Sequence, residues 1–107
     1  MGDKKEPSSI HLTGLYQQYP IHVLIDNGST HNFIEEHVVA QLTLTIIPTK
    51  PFKVCVGTSD YLICKMKTLA VPLKLQGHEF KCYLFALAIR GNDVVLGIQW
   101  LAGLDLF

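Results

Sequence analysis

The sequence predicts an all-β domain: a small closed or sandwiched sheet that carries one or two short helices. Three observations support this. Its apolar residues gather in short runs that are β-branched or alternate with polar residues, the period of a strand. Turn-forming stretches recur at close spacing, at Gln17-Gln18, Asp26-Asn27-Gly28, Gly57-Thr58-Ser59-Asp60, Gln76-Gly77 and Gly91-Asn92. Only two segments hold a helical spacing, and each is short. Apolar residues make up 49% of the 107 and charged residues 17%, enough to bury a core and against disorder.

Residues 1–9, with Asp3, Lys4, Lys5, Glu6 and Pro7, form a flexible leader to one domain at 10–107. Residues 10–16 make the first strand, with Ile10, Leu12 and Gly14 on one face and His11, Thr13 and Leu15 on the other. Residues 19–25 make the second, and the two-residue link Gln17-Gln18 requires the pair to be antiparallel. After Asp26-Asn27-Gly28 a buried piece resumes at Phe33-Ile34. Residues 35–42 form a short helix with Val38, Val39 and Leu42 inward and Glu35 and Glu36 in the first turn, where the helix dipole favours them. Residues 43–47 form a strand closed by Pro48 and Pro51. Residues 52–56 and 61–66 are the arms of a hairpin with a small polar tip. Residues 68–75 place Leu69, Val71, Leu73 and Leu75 on one face, with Pro72 marking an edge or a bulge. Residues 76–79 turn the chain, and 80–88 return as one strand. Residues 94–97 are a short buried strand that stops on Gly97. Residues 98–102 fit one or two helical turns ended by Gly103, and 104–107 form a last short strand.

Nine basic and nine acidic residues cancel, so no basic field draws phosphate and a nucleic-acid partner is not expected of this domain. No apolar run reaches spanning length, so no membrane partner is expected. The leader lacks a signal-peptide core, which sets aside the formal glycosylation acceptor at Asn27-Gly28-Ser29. Cys55, Cys64 and Cys82 are odd in number and widely spaced, so neither a disulfide framework nor a zinc pattern is present. They read as buried, reduced thiols and suggest a reducing, cytoplasmic setting. His11, His22, His31, His37 and His78 show no metal-ligand spacing, and neither metal nor cofactor is expected. Ser29 and Ser59 lack a paired base, and no Gly-Lys-Ser/Thr follows Gly57. The apolar surplus suggests a partner subunit.

Asp26 ends an apolar strand, Ile21-His22-Val23-Leu24-Ile25, on a turn containing Gly28. Alone, Asp26-Asn27-Gly28 reads as an ordinary turn with a solvated acid, because Asn-Gly is a strong turn signal. A second stretch, Val94-Val95-Leu96-Gly97, changes that. An apolar strand ending in Asp-x-Gly and a later apolar-apolar-Gly strand together resemble the retropepsin-like aspartic proteases. The resemblance is closest to the protease region of Ty3/gypsy-type retrotransposon polyproteins. It is carried by Leu24-Ile25-Asp26-Asn27-Gly28-Ser29-Thr30-His31-Asn32-Phe33-Ile34 and by Val94-Val95-Leu96-Gly97-Ile98-Gln99-Trp100-Leu101, and it extends over residues 10–104.

The resemblance implies a single-lobe acid-protease barrel with a flap hairpin, working as a homodimer. Peptide hydrolysis without a metal or nucleophile needs a base for water and an acid for the carbonyl, and two carboxyls sharing a proton supply both. The chain has one Asp-x-Gly in this context, so the second acid is Asp26 of a twofold-related copy. On that reading Asp26 is catalytic, and Asn27 and Gly28 belong to the active-site loop. Ser29, Thr30, His31, Gly57, Thr58, Ser59 and Val95 contact an extended peptide, with Gly57, Thr58 and Ser59 as the flap tip. The substrate is a polyprotein, and a retroelement particle is the setting. Asn27 stands where the family carries Thr or Ser, whose hydroxyl grips the partner loop. That departure keeps open a catalytically weakened dimerisation or peptide-binding domain. A monomeric β-barrel binding module is the reading from a different class.

Overall fold

The structure, a computed structural model, describes residues 9–26, 28–56 and 60–97. Its elements are β1 (Ser9–Tyr16), β2 (Tyr19–Asp26), β3 (Phe33–Glu35), α1 (Glu36–Gln41), β4 (Ile46–Val56), β5 (Asp60–Thr68), β6 (Val71–Leu75), β7 (His78–Cys82), β8 (Phe85–Leu87) and β9 (Val94–Gly97). The strands join into one sheet in the order β4-β5-β8-β3-β9-β2-β1-β6-β7, so the all-β expectation holds.

The first hairpin follows from its sequence. β1 and β2 pair antiparallel from Ser9 opposite Asp26 to Tyr16 opposite Tyr19, and Gln17 takes a left-handed φ of 57° to close the two-residue turn. Alternation buries Ile21, Val23 and Ile25 on one face and leaves Leu24 and Asp26 half-buried on the other. β9 lies parallel to β2, with Leu24 beside Val95 and Asp26 beside Gly97. β3 then runs antiparallel to β9 and parallel to β8. Consecutive strands β2 and β3 are therefore separated by β9, and the loop between them passes over the end of β9.

Two apolar clusters result. The larger is aliphatic and joins Ile21, Val23 and Ile25 to Ile34, Val38, Val39, Val71, Leu73, Leu75, Leu84, Val94 and Leu96. Each fully buried side chain of this size contributes roughly 1.5–3 kcal/mol. The smaller holds Phe33, Cys64 and Leu87, flanked by the partly buried Phe52, Val54, Leu62, Phe85, Ile89 and Val95. The helix is shorter than expected. Glu35 caps it, its side chain accepting from the His37 N–H at 2.7 Å, and Val38 and Val39 are its buried residues.

Several expectations are corrected. Thr43 ends the helical region with a φ of 56° rather than opening a strand. β4 begins at Ile46 and runs through Pro48 and Pro51, and the ladder with β5 shifts register between Pro48 and Phe52. A bulge there fits residues with no N–H to donate. β5 stops at Thr68 and β6 begins at Val71, so Leu69 leaves the buried face and is 48% exposed. The expected strand at 80–88 is two strands, because β7 pairs with β6 whereas β8 pairs with β3 and β5. Buried Thr68 marks the change of partner: its N–H donates to the Leu84 carbonyl at 2.7 Å, and its hydroxyl accepts from the Leu84 N–H at 3.0 Å. The β6–β7 turn is Gln76-Gly77 alone, with φ of 50° and 85°, which puts His78 and Glu79 in β7. Cys64 and Cys82 are buried, but Cys55 is exposed because it lies on the outer face of β4. β1 starts at Ser9, one residue before the expected boundary. The rest of the leader, the helix at 98–102 with Trp100 and the strand at 104–107 fall outside the described residues.

Candidate functional site

Asp26 is the last residue of β2, half-buried, on the same face as Leu24. The chain folds back immediately beyond it. The Ser29 N–H donates to the Asp26 main-chain carbonyl at 3.1 Å, and the Gly28 N–H donates to Asp26 Oδ1 at 2.8 Å. The carboxylate is thus oriented by its own loop, through a charge-assisted bond. A Cβ at Gly28 would stand 3.3 Å from Oδ1, so glycine keeps that approach open.

The loop continues with its own bonds. The Ser29 hydroxyl donates to the His31 carbonyl at 2.7 Å, and Thr30 Oγ1 lies 3.0 Å from His31 Nδ1. Asn32 fastens the far end: its Oδ1 accepts the Gly97 N–H at 2.8 Å, and its carbonyl accepts the Phe85 N–H at 2.9 Å. Gly97 explains the apolar-apolar-Gly pattern. A Cβ there would fall 2.5 Å from the Ser29 carbonyl oxygen and 3.4 Å from that of His31. Backbone lies directly on backbone, and any larger residue would lift the loop away from β9.

Two apolar surfaces adjoin the acid. Leu24 and Val95 sit side by side on the face that carries Asp26, and both are half-buried. On the other side the loop rests on aromatic rings. The His31 ring centroid lies 5.0 Å from that of Phe52, 5.4 Å from Phe85 and 6.0 Å from Phe33, and Phe52 meets Phe85 edge-on at 5.0 Å. Distances and tilts of this kind are the favoured arrangements of aromatic rings. Phe52 belongs to β4, so the floor under the loop is also the base of the β4–β5 hairpin.

The structure therefore brings Asp26, Gly28, Ser29, Thr30 and His31 into one loop and sets Val95 beside it. Asn27, Gly57, Thr58 and Ser59 lie outside the described residues, although the arms they join are paired up to Val56 opposite Asp60. Asp93, a second acid near β9, is a structural brace. Its Oδ2 accepts the His22 N–H at 2.7 Å, its own N–H donates to the His22 carbonyl at 3.0 Å, and its carbonyl accepts the Glu35 N–H at 2.9 Å. Among the described residues, no three His, Cys, Asp or Glu side chains converge as a metal site requires, and no helix is long and apolar enough to cross a membrane.

Sequence reasoning missed Asn32 and the aromatic floor. A polar residue directly before a buried strand was the available hint for Asn32. Phe33, Phe52 and Phe85 meet only through long-range pairing, which leaves no local signal. A family model described as retroviral aspartyl protease matches residues 2–105, a span that includes both the Asp26 loop and Gly97. No curated protein matches the chain.

Proposed function

The chain belongs to the retroviral aspartyl protease family, and from that premise we propose that it is an aspartic endopeptidase working as a homodimer, with one Asp26 from each copy at a shared axis. The observation that carries this reading is the Asp26 carboxylate, held by the Gly28 N–H on a loop seated against Gly97 and walled by Leu24 and Val95. Among the described aspartates, one copy supplies a single acid on this face, since the carboxylate of Asp93 is committed to the His22 backbone and Asp60 begins the far strand of the hairpin.

In this mechanism one carboxylate takes a proton from water, and the resulting oxygen nucleophile attacks the scissile carbonyl. The other carboxyl gives its proton to the carbonyl oxygen. The tetrahedral intermediate then breaks its C–N bond as a proton passes to the leaving amine, and the shared proton of the pair is restored. The substrate lies extended, its backbone paired with the loop and the hairpin. Ser29, Thr30 and His31 contact it from the loop, Gly57, Thr58 and Ser59 from the flap tip, and Val95 shapes an apolar pocket. Asn27 and Gly28 complete the active-site loop. The substrate is a polyprotein of the Ty3/gypsy retroelement type, cleaved in the cytoplasm or within the particle.

Asn27 favours a second reading. It departs from the hydroxyl residue that grips the partner loop, so a dimer that binds peptide and cleaves it weakly is the alternative. Digestion of a peptide library over about pH 4 to 7, wild type against Asp26→Ala, decides between them. Cleavage that disappears with Asp26 supports the endopeptidase. Cleavage that survives in Asp26→Ala defeats the mechanism. Dimers that cleave nothing in either form favour the second reading.

A further inference from the structure

We propose that Asn32 is a positioning residue for the Asp26 carboxyl, the clasp that holds the active-site loop closed over the end of β9; the proposal rests on the reading of Asp26 as the reacting acid. Topology creates the need for a clasp. The loop begins on β2 and ends on β3, and β9 lies between them. At the end of β9 Gly97 is a buried residue, and the N–H of a buried residue must find a partner. The Asn32 side chain supplies it at 2.8 Å.

The chemistry fixes the orientation of that side chain. A backbone N–H only donates, so the amide oxygen of Asn32 faces Gly97 and the amide nitrogen turns away. The same residue gives its carbonyl to the Phe85 N–H at 2.9 Å. Asn32 therefore ties the loop to β9 through its side chain and to β8 through its backbone.

The clasp leads back to the acid by short steps. Gly97 lies so close under the Ser29 carbonyl that a Cβ would fall 2.5 Å from its oxygen. The Ser29 N–H donates to the Asp26 carbonyl at 3.1 Å, and the neighbouring Gly28 N–H holds Oδ1 at 2.8 Å. Loss of the Asn32–Gly97 bond removes the side-chain tie between the loop and the end of β9, and the carboxyl moves with the loop. Misplacement by about 1 Å costs on the order of 100-fold in rate. Contacts along the hairpin and the pocket do not depend on the clasp, so although Ser29, Thr30 and His31 move with the loop, kcat falls more than KM rises.

The test uses the full chain labelled with nitrogen-15 and a peptide that the wild type cleaves. Asn32→Leu keeps similar volume without an acceptor, and Asn32→Asp keeps the length and an acceptor oxygen. In Asn32→Leu the Gly97 amide should exchange at least about tenfold faster, while the Val94 amide stays within about threefold of wild type. Its kcat should fall roughly 10- to 100-fold with KM changed less than about threefold. Asn32→Asp should restore both readings to within about threefold. If Asn32→Leu does not fold, Asn32→Ser, whose hydroxyl is too short for the reach, takes its place. Wild-type kcat in the variant that lacks the acceptor overturns the proposal, as does an Asn32→Asp protein as impaired as Asn32→Leu. If cleavage proves independent of Asp26, the catalytic reading falls on its own. Gly97 exchange then still decides the clasp: faster exchange in Asn32→Leu supports it, and unchanged exchange overturns it.

Discussion

The two apolar clusters differ in how completely they close. In the aliphatic cluster Val23, Leu84, Val94 and Leu96 are each 0% exposed, and the residues come from strands on both sides of β9 and from α1. The aromatic cluster is closed only at Phe33, Cys64 and Leu87, while Phe52, Phe85 and Val95 remain partly open beneath the loop and the hairpin. Close packing of the first kind resists any change of volume, whereas sites that bind and release are drawn from less tightly held regions. The comparison separates two tasks: one cluster holds the sheet together, and the other underlies the surface where the proposed site would meet a substrate. Stability should therefore respond to the first and activity to the second.

The largest separation is expected at the acid itself. On the proposed mechanism Asp26→Ala should remove at least about 1,000-fold of the peptidase activity, because it would take away the base and the acid together. Its thermal midpoint should stay within a few degrees of wild type, since Asp26 is half-buried and belongs to neither cluster. A large fall in the midpoint would mean that the site and the core are not separable. Next comes Leu73→Ala, on β6 within the aliphatic cluster and 1% exposed. It should cost about 3 to 5 kcal/mol in urea unfolding while the folded fraction keeps near-normal kcat. Loss of kcat in that folded fraction would break the comparison from the other side.

A milder change tests the aromatic cluster. Phe52→Leu removes a ring that faces His31 at 5.0 Å and Phe85 at 5.0 Å but keeps an apolar side chain. Because Phe52 is only partly buried, shortening it should cost less than a full core truncation, about 1 to 2 kcal/mol of stability. Peptide cleavage should fall about tenfold in kcat/KM, because the hairpin base and the loop share that ring. Equal, small effects on stability and cleavage would reduce the aromatic floor to ordinary packing.

What could be read in the sequence follows the range of the interactions. β1, β2 and β9 were legible because alternation, a two-residue link and a terminal glycine are local signals. The placement of β9 against β2 follows from no periodicity; it is implied only by the resemblance of two distant stretches, taken together, to one family. β4 was not legible, because Pro48 and Pro51 argue locally for an end, while a register shift in the pairing with β5 carries the strand past them. The break between β7 and β8 was equally hidden. Alternation continues through exposed Tyr83 and buried Leu84, and only the change of partners, anchored by Thr68, divides the strand. Within the candidate site, the turn at Asp26 and Gly28 is legible locally, but taking it for a site needs the second stretch that ends on Gly97. Asn32 was not, because its role depends on Gly97, which topology brings beneath it.

The smallest expected effect concerns two thiols on paired strands, and it probes the closed part of the aromatic cluster. Cys55 is on the exposed face of β4, and Cys64 is 0% exposed on β5, with its Sγ 3.5 Å from the Ala86 carbonyl oxygen and 3.6 Å from that of Met66. Burial pushes the Cys64 thiol above its ordinary range; a hydrogen bond with the Met66 backbone opposes this in part, and the negative charge of Glu36 adds a smaller push upward. The folded chain therefore keeps a proton that the unfolded chain releases as pH rises through the ordinary thiol range, so the unfolded state binds fewer protons and stability falls there. Urea unfolding of wild type and Cys64→Val at about pH 7 and about pH 9.5 measures this: the wild type should lose more stability between the two pH values than the variant. Under native conditions a thiol reagent should label Cys55 quickly and Cys64 only as fast as the chain unfolds. Native labelling of Cys64 at the rate of Cys55 would mean that the floor of the aromatic cluster opens with the hairpin, and the line between the part that holds and the part that moves would then run through β5 rather than beside it.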